Sequence, residues 1–211
     1  MPLIEQCLCE GRVFRVVEAF GLDMRECVSC GVFHQHVLMS PEEYVDYYRN
    51  DYHETVYTHS YNHDLEVGML RVRAYGDRLK APVLDVGCGN GAFVNACEEF
   101  AIDAVGQDIA SGPPLEVLEG SYATITAHDV LEHAVDPGFM LQTMRRLLLH
   151  GGHLILDFPS FFEPEGFHHW KPVEHLWMLR PFELNRLLEE NGFTVSNWHK
   201  PVPGKRTIYA R

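Results

Sequence analysis

The sequence predicts an α/β fold organised around a mainly parallel sheet, and three observations carry that prediction. From residue 81 onward, short apolar runs alternate with amphipathic stretches, the pattern produced when strands are joined by helical crossovers. The first apolar run, Val83 to Val86, ends in a glycine-rich turn, Gly87-Cys88-Gly89-Asn90-Gly91. The chain has 211 residues, 46% hydrophobic and 22% charged, which suits one domain with a small appendage.

The chain divides into three stretches. Residues 1–40 are rich in cysteine and short on helical periodicity. Residues 41–80 are helical in character and rich in tyrosine. They open at Ser40-Pro41-Glu42-Glu43, where Ser40 caps, Pro41 occupies the first helical position and Glu43 completes a capping box. Residues 81–211 carry the expected strands, over 83–86, 104–107, 123–127, 153–158, 193–197 and 207–210. A helix is expected from about Asn90. Another is capped by Asp136, with Pro137 inside it, and stops at Gly151-Gly152. A third begins near Pro181, places Leu184, Leu187 and Leu188 on one face, and ends at Asn191-Gly192. Internal repeats and low-complexity tracts are absent from the sequence.

The glycine turn is the strongest chemical signal. Glycines at 87, 89 and 91 let the backbone turn sharply and let a ligand approach without a Cβ in the way. Asp108 closes the next strand, 17 residues after Gly91, where a carboxylate accepts both hydroxyls of a ribose. The spacing is G-x-G-x-G rather than the G-x-G-x-x-G of a pyrophosphate loop, and Asp85 stands two residues before the first glycine. A carboxylate there repels pyrophosphate and suits an ammonium or sulfonium group. The inferred ligand is S-adenosylmethionine, and a dinucleotide oxidoreductase is the disfavoured rival.

Residues 82–211 resemble a class I S-adenosylmethionine-dependent methyltransferase of the small-molecule type. The resemblance rests on the glycine loop, on Asp129-Val130-Leu131-Glu132-His133 with Asp136-Pro137, on the Leu147 to Pro159 segment through Gly151-Gly152, and on Glu174-His175-Leu176-Trp177 before Asn191-Gly192-Phe193. The N-terminal part is similar to a companion of some sugar and natural-product methyltransferases, a cysteine ribbon followed by a Tyr-rich helix. The resemblance implies a Rossmann-like sheet of order 3-2-1-4-5-7-6 with an antiparallel last strand. Only 21 positions separate Asp108 from Asp129. That is short for a helix and a third strand, so the third strand is expected to be missing or vestigial and the adenine pocket open. Glu116 and Glu119 are the available adenine contacts, and two solvated surface acids are the simpler reading.

For the cofactor, the expected contacts are Asp85, Gly87, Cys88, Gly89 and Gly91 at the methionine end, with Asp108 and Ile109 at the ribose and His128 lining the methionine side. The resemblance implies that one of Tyr48, Tyr52 or Tyr57 reaches the cofactor carboxylate. Methyl transfer to a hydroxyl or carbon acid needs a base, and histidine is the usual one at neutral pH. His133 lies past the fourth strand of the family order and His175 in the loop after the fifth, which is long and crowded with aromatics and histidines and so suits a substrate lid. Glu174 can orient His175, whereas His168 and His169 read as packing or surface residues. Aromatic side chains such as Phe161, Phe162, Trp170 and Trp177 suggest an apolar or ring-shaped acceptor.

Cys27-x-x-Cys30-Gly31 is half of a zinc knuckle, and Cys7-x-Cys9 is its expected mate, with His34 or His36 as substitutes. Structural zinc is therefore expected in a zinc-ribbon-like segment. The charge of −13 disfavours a nucleic-acid partner. With neither a membrane span nor a signal-peptide pattern in the sequence, the expectation is a cytoplasmic monomer or homodimer acting on a small molecule. The alternative is a non-catalytic, methyltransferase-like binding or partner subunit.

Overall fold

The fold is that of a computed structural model describing residues 5–19, 22–35, 39–52, 60–163, 171, 174–199 and 205–211. His36, Tyr57, His168, His169 and Trp170 lie outside the described residues.

Two antiparallel strands open the chain, β1 (Phe14–Ala19) and β2 (Leu22–Cys27), followed by the short β3 (Phe33–His34). Helix α1 (Pro41–Asp46) starts as its sequence requires. The Ser40 hydroxyl accepts from the Glu43 amide at 3.2 Å, and the Glu43 carboxylate accepts from the Ser40 amide at 2.7 Å. The chain continues as a wider π-turn through Asp51. Helix α2 (Tyr61–Tyr75) is capped by Ser60.

The chain then alternates strands and helices: β4 (Val83–Val86), α3 (Ala92–Glu99), β5 (Ala104–Gln107), β6 (Tyr122–His128), α4 (Pro137–Leu147), β7 (Leu148–Pro159), β8 (Trp177–Met178), α5 (Pro181–Glu190), β9 (Val195–His199) and β10 (Lys205–Ala210), and all of these strands except β8 form the main sheet. Its six strands run in the order β5-β4-β6-β7-β10-β9. The first four are parallel, and β10 is antiparallel to both of its neighbours. This is the expected order without its third strand. Between Asp108 and β6 there is one 3-10 turn, Leu115–Val117, and no strand, so β5 is the sheet edge.

Alternation along the strands divides the core between the two faces. Leu84, Val86, Ile125, Leu154 and Leu156 pack with Leu141 and Met144 of α4 and Leu184 and Leu188 of α5. On the other face Val83, Ile155 and Tyr209 pack with Val72 and Tyr75 of α2 and Phe93 and Ala96 of α3.

β7 begins at Leu148 rather than 153 and β10 at Lys205 rather than 207, and three further boundaries move for a physical reason. Helix α4 ends at Leu147 rather than at the two glycines, because Leu148 is already extended and pairs with Tyr122. Gly151, at φ +75°, lies in the irregular stretch where the β6–β7 register shifts before His153 pairs with Thr124. Phe193 is a buried core residue, and mutual backbone bonds between Thr194 and Arg211 lead into β9 two residues later than expected. Helix α3 starts at Ala92 with Gly91 as its left-handed cap.

The cysteine-rich strands form a second sheet, of order β1-β2-β3-β8. Its last strand comes from the C-terminal half, with Phe33 paired to Met178 and His34 to Trp177.

Candidate active site

The glycine turn lies beyond the end of β4. Gly87, Gly89 and Gly91 all have positive φ, and a Cβ on Gly87 would sit 2.5 Å from a Val130 methyl. The Gly89 amide donates to the Asp108 carboxylate at 2.9 Å, and the Ala110 amide donates to its other oxygen at 2.8 Å. The loop and the end of β5 are therefore tied into one cradle, with Ile109 exposed beside it. The Cys88 sulfur packs over Gly106, where it approaches the position of an added Cβ to 2.5 Å. Burial and the Asp85 charge push its thiol up to about 12.

Asp85, buried, and His128, half-buried, lie behind this loop. Asp85 Oδ1 accepts from the Thr126 hydroxyl at 2.7 Å and lies 3.2 Å from His128 Nδ1. The Tyr75 hydroxyl is 2.9 Å from the other ring nitrogen of His128, and Phe93 meets the ring edge-on. Both ring nitrogens of His128 are thus taken up within the protein.

Sequence reasoning did not find the charged group adjoining this pair. Asp157, 1% exposed, accepts from Arg71 at 2.7 Å and from the Tyr75 and Thr207 hydroxyls. Lys205 and Arg71 both reach Asp129. Two signals were available: an acid ending the apolar run Leu154-Ile155-Leu156, and the helical i, i+4 spacing of Arg71 and Tyr75.

A second cluster lies past the end of β6, on the 3-10 turn Leu131–His133. The His133 and His175 rings are centred 4.7 Å apart. Tyr44 donates its hydroxyl proton to the His133 carbonyl, and the Tyr48 hydroxyl lies 2.8 Å from His133 Nδ1 and 3.5 Å from the Tyr44 hydroxyl. The Lys171 amide donates to His175 Nδ1 at 3.1 Å, and Tyr47 donates to Glu174 at 3.0 Å. Burial depresses the His133 imidazole to about 3 and raises Glu174.

Glu132, absent from the sequence prediction as a site residue, is fully buried, and both of its carboxylate oxygens lack a hydrogen-bond partner among the described residues. Burial and the nearby Asp129 charge raise it well above the ordinary carboxylate range. Glu132, His133 and His175 bring one ligand atom each within 4.8 Å of one another, a geometry that can hold a metal ion. Tyr52 packs against Tyr48 and lies beneath the Lys171 ammonium. Glu116 and Glu119 are exposed.

The ribbon brings Cys7, Cys9, Cys27 and Cys30 together. Their sulfurs lie 3.6 Å apart for the 7–30 pair and 3.5 Å apart for the 9–27 pair, and the four fall within 4.8 Å of one another. A Cβ on Gly11 would come within 2.9 Å of the Cys27 sulfur. His34 is not part of the group; its Nδ1–H donates to the Gln35 carbonyl at 2.7 Å.

Residues 57–197 match the family described as a methyltransferase domain, which is two thirds of the chain, and the chain belongs to that family. Among curated proteins it is similar to the ubiquinone biosynthesis O-methyltransferase of Pectobacterium carotovorum subsp. carotovorum, at 29% identity over 117 residues, covering 44% of this chain and 48% of that one. The enzyme of the same name from Dinoroseobacter shibae is 28% identical over 182 residues, covering 64% and 69%. The chain spans about half the length of most of the curated relatives it matches.

Two solved structures share the class I methyltransferase fold. The 1,6-didemethyltoxoflavin-N1-methyltransferase of Burkholderia thailandensis, with 1,6-didemethyltoxoflavin and S-adenosylhomocysteine bound, superposes with a TM-score of 0.62 at 17% identity, covering 87% of this chain and 96% of that one. The magnesium protoporphyrin IX methyltransferase of Synechocystis PCC 6803, with S-adenosylhomocysteine bound, gives 0.53 at 18% identity, covering 81% and 99%.

Proposed function

We propose that the chain transfers a methyl group from S-adenosylmethionine to an oxygen or carbon acceptor on a small molecule. The observation that carries this reading is the Asp108 carboxylate held against the Gly89 amide, which joins the glycine turn to the strand end where a ribose would sit. S-adenosylmethionine supplies a methyl group already activated on a sulfonium. The chain's task is then to align the acceptor and remove its proton.

The cofactor contacts in this reading are Gly87, Cys88, Gly89, Gly91, Asp108 and Ile109, with Asp85 and His128 supporting the loop from behind. The two imidazoles divide the proton work. The Lys171 amide occupies His175 Nδ1, so His175 carries its proton on Nε2 and offers a donor. The Tyr44 proton is committed to a carbonyl, and in this reading Tyr48 turns its own proton to the Tyr44 oxygen and accepts from His133 Nδ1–H. That order leaves the lone pair on His133 Nε2, with the Glu132 carboxyl 3.9 Å away, and in this reading makes His133 the base. His175 holds the acceptor oxygen, and Glu174, fixed by Tyr47, stabilises that segment.

The four cysteines fit a structural zinc ion. Tetrahedral zinc with bonds of about 2.3 Å to sulfur spaces its sulfurs at about 3.8 Å, close to the observed pairs. The Cys30 and Ser29 backbone amides outweigh burial and draw the Cys27 thiol down to about 7, so it is the readiest thiolate of the set.

Calorimetric titration with S-adenosylmethionine and then with S-adenosylhomocysteine tests the reading. Micromolar binding of both is expected, and Asp108→Ala should weaken each by at least about tenfold, one lost charge-assisted contact. The open sheet edge at β5 favours the second reading, a non-catalytic partner subunit. Absence of binding by the folded wild-type chain would establish that one.

A further inference from the structure

We propose that Gln35 is a positioning residue for His175, gripping from the cysteine ribbon the segment that presents the proposed donor. Gln35 directly follows β3, whose two residues pair with Trp177 and Met178. Its backbone amide donates to the Leu176 carbonyl at 3.0 Å, and its side-chain amide donates to the His175 carbonyl, also at 3.0 Å. One residue therefore engages two consecutive carbonyls 140 positions away along the chain.

The grip is itself braced. The His34 Nδ1–H donates to the Gln35 carbonyl at 2.7 Å, and the His34 ring packs between Phe14 at 4.8 Å and Trp177 at 5.4 Å. On the far side, the Leu176 amide donates to the Glu132 carbonyl at 2.8 Å and the Trp177 indole to the Ala134 carbonyl at 2.9 Å. His175 is thus fixed at three points. Its ring is held by the Lys171 amide, its own amide donates to the Lys171 carbonyl at 3.2 Å, and its carbonyl is held by Gln35. The first two contacts both join His175 to Lys171 and close a local turn. The Gln35 bond is long-range and fixes where that turn sits against His133.

The inference rests on reading His175 as part of the reaction centre, and it places the reason for the ribbon in the site: β3 and Gln35 form the wall on which the donor is mounted. Gln35 lies apart from the glycine turn, since both hydrogen bonds it donates among the described residues go to the 175–176 segment.

Gln35→Met keeps the volume and removes only the side-chain donor, and Gln35→Ala removes both. Carbethoxylation by diethyl pyrocarbonate, followed by peptide mass spectrometry, reads His175 directly, with the exposed His150 as internal reference. His175 is 3% exposed and should react slowly in the wild type. In both variants its rate should rise by at least about fivefold relative to His150. Titration with S-adenosylmethionine should stay within twofold of wild type. With an acceptor found by screening, kcat should fall about tenfold at unchanged KM for S-adenosylmethionine, the mark of misplacement rather than lost binding. Wild-type protection of His175 in Gln35→Met would overturn the proposal. Failure of the wild type to bind S-adenosylmethionine would instead overturn the functional reading, and the protection assay would still decide the role of Gln35.

Discussion

At the scale of single residues, the buried Asp157 carboxylate gathers the Arg71 guanidinium and the Tyr75 and Thr207 hydroxyls. Asp85, Asp108 and the glycines were legible because each belongs to a local pattern of fixed spacing. The Asp157–Arg71–Tyr75 group was not, because its members come from two elements 82–86 residues apart and meet only on folding. Burial alone would raise the Asp157 carboxyl, but the Arg71 guanidinium and His128 hold it below the ordinary carboxylate range; Lys205 and Arg71 do the same for Asp129. A carboxyl depressed by folding contributes its full stabilisation above its unfolded pKa of about 3.9 and loses it as the pH falls through the folded value. Asp157→Asn removes the charge and leaves Arg71, among the described residues, with the more distant Asp129 carboxylate at 3.8 Å. The expected cost in urea unfolding at pH 7 is about 3 kcal/mol. Repeated at successively lower pH, the gap between wild type and variant should narrow below about pH 4. A gap that stayed constant to pH 3 would mean that the ion pair contributes nothing.

At the scale of elements, the strands and helices from residue 81 onward follow their sequence signals closely, because the apolar runs of the central strands are buried on both faces of the sheet and each helix covers one of them. The ribbon strands were opaque. β1 and β2 pair along six residues, yet Val16 within β1 and the flanking Val13 and Val28 are exposed, so the segment lacks the alternation that marks a half-buried strand. The packing of α2 on α3 was hidden for a different reason. It depends on one glycine in the middle of a helix, a residue that reads only as a weak helix former. A Cβ on Gly68 would lie 3.0 Å from the Ala96 Cβ and 3.3 Å from the Ala92 carbonyl oxygen. The two helices therefore touch nearly backbone to backbone. Gly68→Leu should destabilise the fold by about 1–3 kcal/mol in urea unfolding, despite leucine's higher helix propensity. A neutral or stabilising result would show that α2 can lift away without cost.

At the scale of the molecule, the two sheets are held together by more than the chain that joins them. Cys7, Met24, Cys27 and Val32 of the ribbon share a hydrophobic cluster with Leu84, Leu156 and Leu188 of the main sheet and its helices, and β8 completes the ribbon sheet from the other half of the sequence. Residues 1–40 are too few to bury a core of their own, so their order depends on this shared cluster and on the proposed zinc. The dependence runs both ways, because the ribbon in turn supports Trp177 and the His175 segment. Cys27→Ser should lower the zinc content below one equivalent per chain by elemental analysis. It should also lower the temperature of a single calorimetric transition, rather than melting the ribbon separately from the main sheet. Two resolved transitions would mean that the ribbon is an independent unit fastened at one edge. A single transition at the wild-type temperature, in protein free of zinc, would show that the shared hydrophobic cluster alone holds the four cysteines in place.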